Sequence, residues 1–130
     1  MSWLLRVTMR DMLPPANGLP GIEETGLDAY IEQLRREVEW STQLALFGGA
    51  LAVFLTPLLT VYLPVPSVFL SASLRDRHID RICGTRLYFV RQAIFLLKMY
   101  ACFCWGQHPK VREHFALSAY PPDPMTFRTT

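Results

Sequence analysis

Residues 41–73 carry no Asp, Glu, Lys or Arg, a run of 33 positions without a formal charge. Water solvates such a run poorly, so much of it needs a protein interior or a membrane around it. By length it exceeds the roughly 20 apolar residues that span a bilayer. Its interior does not read as one continuous helix. Gly48 and Gly49 weaken a helix early in the run, and Pro57, Pro64 and Pro66 interrupt it later. The unbroken apolar stretch Leu44 to Thr56 holds 13 residues. As a helix it is about 20 Å long, short of a hydrocarbon core of about 30 Å. A core helix, an interfacial helix or a re-entrant segment fits better than a span.

Charge is distributed unevenly on either side. Residues 1–40 hold four arginines and seven acids, net −3. Residues 74–130 hold nine Lys or Arg and four acids, net +5. The total of +2 is too weak for a nucleic-acid footprint, so no nucleic-acid partner is expected. Apolar residues make up 51% and charged residues 18%, against about 25% charged in ordinary domains, which excludes a disordered chain. A chain of 130 residues buries about two-thirds of its surface on folding, enough for one domain with one core. Three cysteines cannot all pair with one another, so a secreted disulfide scaffold is excluded and a reducing compartment fits. Residues 1–6 lack a long apolar region of the export type, and no twin-arginine pair precedes an apolar stretch. The expected location is the cytoplasm or the cytoplasmic face of the inner membrane.

Apolar periodicity predicts an all-α domain of five or six helices, over 2–12, 27–40, 42–56, 74–83, 85–105 and 109–116. In the second, Leu27, Ile31, Leu34 and Val38 keep the 3.6-residue period. Thr25 is placed to cap it, with Asp28 at capping-box spacing. Pro57 ends or kinks the third helix, and Leu58 to Pro66 reads as an extended, proline-bounded connection. Ser71 or Ser73 caps the fourth, and Gly84 follows it. The fifth is apolar almost all round, with Arg86, Arg91, Gln92 and Lys98 as its strongly polar members. Pro109 opens the last helix at N1. Residues 117–130 read as an irregular tail.

No catalytic, cofactor-binding or metal-binding residue is assigned. Cys102 and Cys104, two apart on a helix, point about 200° away from each other and cannot chelate together. With Cys83, they are expected as buried core thiols. His78, His108 and His114 have no zinc-site spacing. Arg75, Asp76, Arg77, His78, Asp80 and Arg81 read as a solvated or partner-facing helix rather than a catalytic cluster. Ser41, Ser67, Ser71 and Ser73 lack the context of a nucleophile elbow. Gly48–Gly49 has no downstream Lys and is no phosphate loop. A chain of this kind is expected to support another protein rather than to catalyse.

Short signatures recur in a telling order. Met12-Leu-Pro-Pro15, Gly18-Leu-Pro-Gly-Ile22 and Thr25-Gly-Leu-Asp28 come early. Leu87-Tyr-Phe-Val-Arg91, Ala101-Cys-Phe-Cys-Trp-Gly-Gln-His-Pro109, Val111-Arg112 and Ala119-Tyr-Pro121 come late. Over most of residues 9–121 the chain resembles the small-subunit family typified by subunit 3 of gluconate 2-dehydrogenase. Related segments precede the flavin domain in some glucose-methanol-choline oxidoreductases. The chain departs from that pattern at His108, where an acidic residue is usual, and in lacking the twin-arginine leader of exported members.

The resemblance implies a non-catalytic accessory subunit of a large flavoprotein that oxidises an alcohol or polyol. The FAD, the catalytic His and the substrate pocket would belong to that large chain. The small chain would stabilise it, with placement at a membrane surface as an implied second task. The contact is expected from the fifth helix and the apolar segment, through Phe47, Phe54, Tyr62, Phe69, Phe89, Phe95, Tyr100, Phe103 and Trp105. For each of these aromatics the competing reading is this domain's own core. An expectation of a different class is a small membrane-anchored protein. It would use residues 44–72 as an interfacial or re-entrant segment, with the Arg-rich flank from Arg75 on the cytoplasmic side.

Overall fold

Apolar spacing sets which segments are helical, and local side-chain bonds set where they stop. The computed structural model describes residues 2–122. Seven helices run through them: α1 (Ser2–Met12), α2 (Leu27–Glu37), α3 (Trp40–Leu55), the single turn α4 (Pro57–Thr60), α5 (Ala72–Cys83), α6 (Tyr88–Gly106) and α7 (Pro109–His114). Two 3-10 turns, Ile22–Thr25 and Ser67–Phe69, lie between them. No strand forms among the described residues, and an isolated bridge from Ala16 to Leu19 closes the Asn17–Gly18 turn. The chain is therefore all-α, with α4 as the helix that the apolar period did not signal.

The helix ends differ from the sequence expectation for identifiable reasons. α2 stops at Glu37 rather than residue 40, because the Gln43 side chain donates to the carbonyls of Arg35 (3.0 Å) and Val38 (2.8 Å). Those bonds satisfy the open C-terminal carbonyls and let Val38 turn extended, so Trp40 begins α3 instead. Thr25 does not cap α2. Its hydroxyl donates to the carbonyl of Ile22 at 2.6 Å, and the cap position is Gly26, left-handed at φ +76°. Pro57 ends α3 and occupies N1 of α4, so 57–60 is helical where an extended connection was expected. Ser71 holds the cap position of α5 without a side-chain cap bond, and that helix begins two residues earlier than expected. The Thr85 hydroxyl accepts the Leu87 N–H in a local turn, which delays α6 to Tyr88. α7 ends at His114, and Ala116 then turns left-handed at φ +52°. Residues 117–122 are irregular, and the remainder of the expected tail, 123–130, lies outside the described residues.

The core is organised around α1. Seven of its 11 residues are buried, among them Leu5, Met9 and Met12. It packs against α2, α3, α5 and α6. α3 and α6 cross at Gly49, where a Cβ would stand 2.7 Å from the Ala93 carbonyl oxygen. Only a residue without a side chain permits that approach. Leu46, Ala50 and Val53 of α3 meet Ile94, Leu97 and Ala101 of α6 in the same apolar cluster. Trp105 ties the end of α6 to the early loop through a 2.7 Å bond to the Pro20 carbonyl.

Candidate functional site

α3 is apolar on both sides, and only one side is used inside the fold. Leu46, Gly49, Ala50 and Val53 face inward. At about 100° per residue, Trp40, Leu44, Gly48, Leu51 and Leu55 fall together on the opposite side. The four large residues of that stripe are exposed, with Trp40 at 72%. A helix of a self-sufficient domain would place polar residues there. The stripe continues at Leu55 into a small cleft of about 250 Å³ formed with Leu58, Leu63 and Val65.

The outer side of α6 is mixed. Tyr88, Phe95 and Phe103 are exposed alongside Arg91, Gln92 and Cys102, while Ile94, Leu97, Ala101 and Cys104 face inward. Phe89 at its start is 84% exposed. Between α3, α4, α5 and α6 lies a second cleft of about 370 Å³, lined by Leu59, Tyr62, Leu87 and Val90, with Arg81 and Thr85 among its polar walls.

A polar network lies under the α4 turn. The His78 ring is fully buried. Its Nε2 lies 2.7 Å from the Val53 carbonyl and its Nδ1 2.5 Å from the Thr60 hydroxyl. A carbonyl only accepts, so Nε2 carries the proton and the hydroxyl donates to Nδ1 of the neutral ring. Burial holds His78 below its ordinary value, opposed by the Val53 bond and the Asp11 charge. The Arg81 guanidinium donates to the Thr60 carbonyl. α5 therefore grips the end of α4 at two atoms of one residue.

Asp11 is the other buried member. Its Oδ1 lies 3.3 Å from the Arg10 guanidinium and 3.4 Å from that of Arg75. Its Oδ2, the Arg75 Nε and the Ser67 hydroxyl are buried without a hydrogen-bond partner. Desolvation raises the Asp11 carboxyl above the usual carboxylate value, and the two arginines pull the other way. Arg75 also donates to the Leu70 carbonyl at 3.1 Å. This network joins α1, α5 and the segment before α5. With both ring nitrogens engaged and the ring closed to solvent, His78 is a structural tie rather than a general base.

The candidate contact aromatics divide into two groups. Tyr62, Phe69, Phe89, Phe95 and Phe103 are exposed. Phe47, Phe54, Tyr100 and Trp105 are partly buried and pack on the core, Phe54 edge-on to Trp3 at 5.7 Å. The sequence reading missed the leucines of the α3 stripe by attending to aromatics. Their signal was the i, i+4 spacing of Trp40, Leu44 and Gly48 in a helix with no polar side chain after Gln43.

Two further readings need correction. The Arg75–Arg81 segment is not simply solvated, because Arg75 and His78 lie on its inward side with Ile79 and Ile82. The cysteines are not all core, since Cys104 is buried, Cys83 half-buried and Cys102 exposed. Burial raises the Cys83 and Cys104 thiols. His108 caps α7, its Nδ1 accepting the Lys110 N–H. Among the described residues, no group of three or more His, Cys, Asp or Glu is placed to hold a metal ion. No helix among them is long and apolar enough to cross a membrane. No protein-family model, curated protein or solved structure matches the chain.

Proposed function

We propose that the chain is a non-catalytic helical subunit that seats the outward side of α3, with the exposed aromatics of α6, on a larger protein. The observation that carries this reading is the stripe of Trp40, Leu44, Leu51 and Leu55, which lies opposite the buried side of its own helix. An obligate interface resembles a domain core cut in half, and this stripe has that composition. The resemblance carried by the sequence signatures supports one partner class: an FAD-dependent alcohol or polyol dehydrogenase of the glucose-methanol-choline type, which would carry the flavin and the chemistry.

Co-expression with a glucose-methanol-choline flavoprotein dehydrogenase from the same genome tests the reading. The expected outcome is one gel-filtration peak containing both chains and the yellow flavin absorbance. Leu44→Gln with Leu51→Gln should weaken that complex by about 2 kcal/mol or more, roughly thirtyfold, as for interface hot spots. The helical circular dichroism of the small chain should not change. Elution of the wild-type chain as a monomer that ignores the flavoprotein would overturn the reading.

A further inference from the structure

The connection after α3 forms an apolar knuckle that the other described residues leave uncovered. Leu59 and Phe69 are each 75% exposed and Tyr62 is 78% exposed, with Leu58 and Leu63 beside them. Tyr62 is held at φ +60°, a left-handed conformation that bulky residues adopt only under constraint. Two residues earlier, Thr60 is held by His78 and Arg81. The Tyr62 ring stands 78% exposed, outside the core.

The charge around the knuckle is sorted. Arg75, His78, Ile79 and Ile82 mark the inward side of α5. By the helical period, Arg77 and Arg81 share one edge, and Asp76 and Asp80 share another. The arginine edge is the one beside the knuckle, because Arg81 reaches the Thr60 carbonyl and lines the cleft with Leu59 and Tyr62. Arg86 lies in the chain between Thr85 and Leu87, which line the same cleft. Arg77, Arg81 and Arg86 are all exposed, and the knuckle itself lies within the run that holds no acid.

We propose that the knuckle and the arginine edge together form a docking surface for an anionic phospholipid bilayer. A shallow apolar insertion, an aromatic at its rim and cations beside it are the features of an interfacial site. The cationic edge complements phosphate-rich headgroups, while Leu58, Leu59, Leu63 and Phe69 enter the acyl boundary. This surface adjoins the α3 stripe at the cleft of Leu55, Leu58 and Leu63, and its centre at Leu59, Tyr62 and the arginine edge lies beyond it; the inference does not depend on the flavoprotein reading.

Flotation of the purified full chain with vesicles tests it, with no flavoprotein present. The chain should float with vesicles of phosphatidylcholine mixed with phosphatidylglycerol, and not with phosphatidylcholine alone. Raising salt from about 0.1 M to about 1 M, which shortens the screening length from ~10 Å to ~3 Å, should release it. Arg77→Ala and Arg86→Ala should each lower partitioning about fivefold. Leu59→Ser with Phe69→Ser should abolish flotation while helical circular dichroism persists. Absence of flotation, equal flotation with both vesicle types, or wild-type flotation of the Leu59→Ser/Phe69→Ser variant would each overturn the proposal. Loss of the flavoprotein complex in that variant, without vesicle binding by the wild type, would reassign the knuckle to the protein interface.

Discussion

α3 has 16 residues and no charge, and it turns Trp40, Leu44, Leu51 and Leu55 to the outside. α5 has 12 residues, six of them Arg, Asp or His, and it puts Arg75 and His78 on its inward side. The difference lies in partners rather than in composition. Each inward polar group of α5 finds something to hold: Asp11 for Arg75, and Val53 and Thr60 for His78. The outward leucines of α3 have no covering element within the described chain. A polar side chain can be buried where its partner is supplied, and an apolar helix stays uncovered where it is not.

The sharpest way to break this comparison is to remove one partner inside α5. Arg75→Ala leaves the buried Asp11 facing Arg10 alone. The expected cost is about 3 kcal/mol, the lower end for a broken buried pair. Asp76→Ala, on the exposed edge, should stay within about 0.5 kcal/mol. The sign of the pH dependence follows from burial. The Asp11 carboxyl is raised above its ordinary 3.8, and losing Arg75 raises it further. A raised carboxyl contributes stability below the unfolded value and loses it as pH rises through the folded one. The deficit of Arg75→Ala should therefore be full at neutral pH and shrink as pH falls towards 3.8. Urea midpoints across that range check both points. Replacing both partners, Asp11→Leu with Arg75→Met, should recover most of the loss.

How much of this contrast the sequence displayed depended on whether the cause was local. The α2 stripe of Leu27, Ile31 and Leu34 and the opening of α7 at Pro109 were legible, because periodicity and proline geometry act within one segment. The end of α2 was not, because Gln43 reaches back from the next helix to close it. The burial of His78 was hidden for the same reason. Its partners, Val53 and Thr60, are 25 and 18 residues away. The outward α3 stripe was readable in principle from its spacing. Which side each leucine takes depends on the register of α3 against α6, set where Gly49 meets Ala93, 44 residues away in the chain.

A middle-sized effect separates the two sides of α3 itself. Gly49 faces Ala93 so closely that an added Cβ would meet backbone atoms at 2.7 Å and 2.9 Å. Backbone cannot swing aside as a side-chain tip can, so Gly49→Val should cost about 1–3 kcal/mol or more through overpacking. Gly48 lies on the outward stripe, where a Cβ meets nothing within 4 Å. Gly48→Ala should stabilise the monomer by about 0.5–1 kcal/mol through backbone entropy alone. Thermal melts of the two variants should move in opposite directions. Equal destabilisation by both would mean that the outward side of α3 is covered after all.

The smallest expected effect concerns the tie between α5 and α4. The pKa of His78 is depressed by burial below 6.5, so its contribution is present above that value and lost as pH falls through the folded one. Protonation need not break either bond. Nε2–H still donates to Val53, and Nδ1–H can donate to the Thr60 hydroxyl, whose own proton can turn to the Thr56 carbonyl at 3.2 Å. The cost is the buried charge alone, softened by the nearby Asp11. The wild-type melting temperature should therefore decline gradually between about pH 8 and about pH 5, without a cooperative collapse. His78→Gln, which removes the titrating group, should start lower and show a flatter profile over that window. His108 and His114 are present in both proteins, so the difference between the two profiles isolates the buried ring. Superimposable slopes would mean that His78 does not sit neutral in the fold, and the polar interior assigned to α5 would shrink to the Asp11–Arg75 pair.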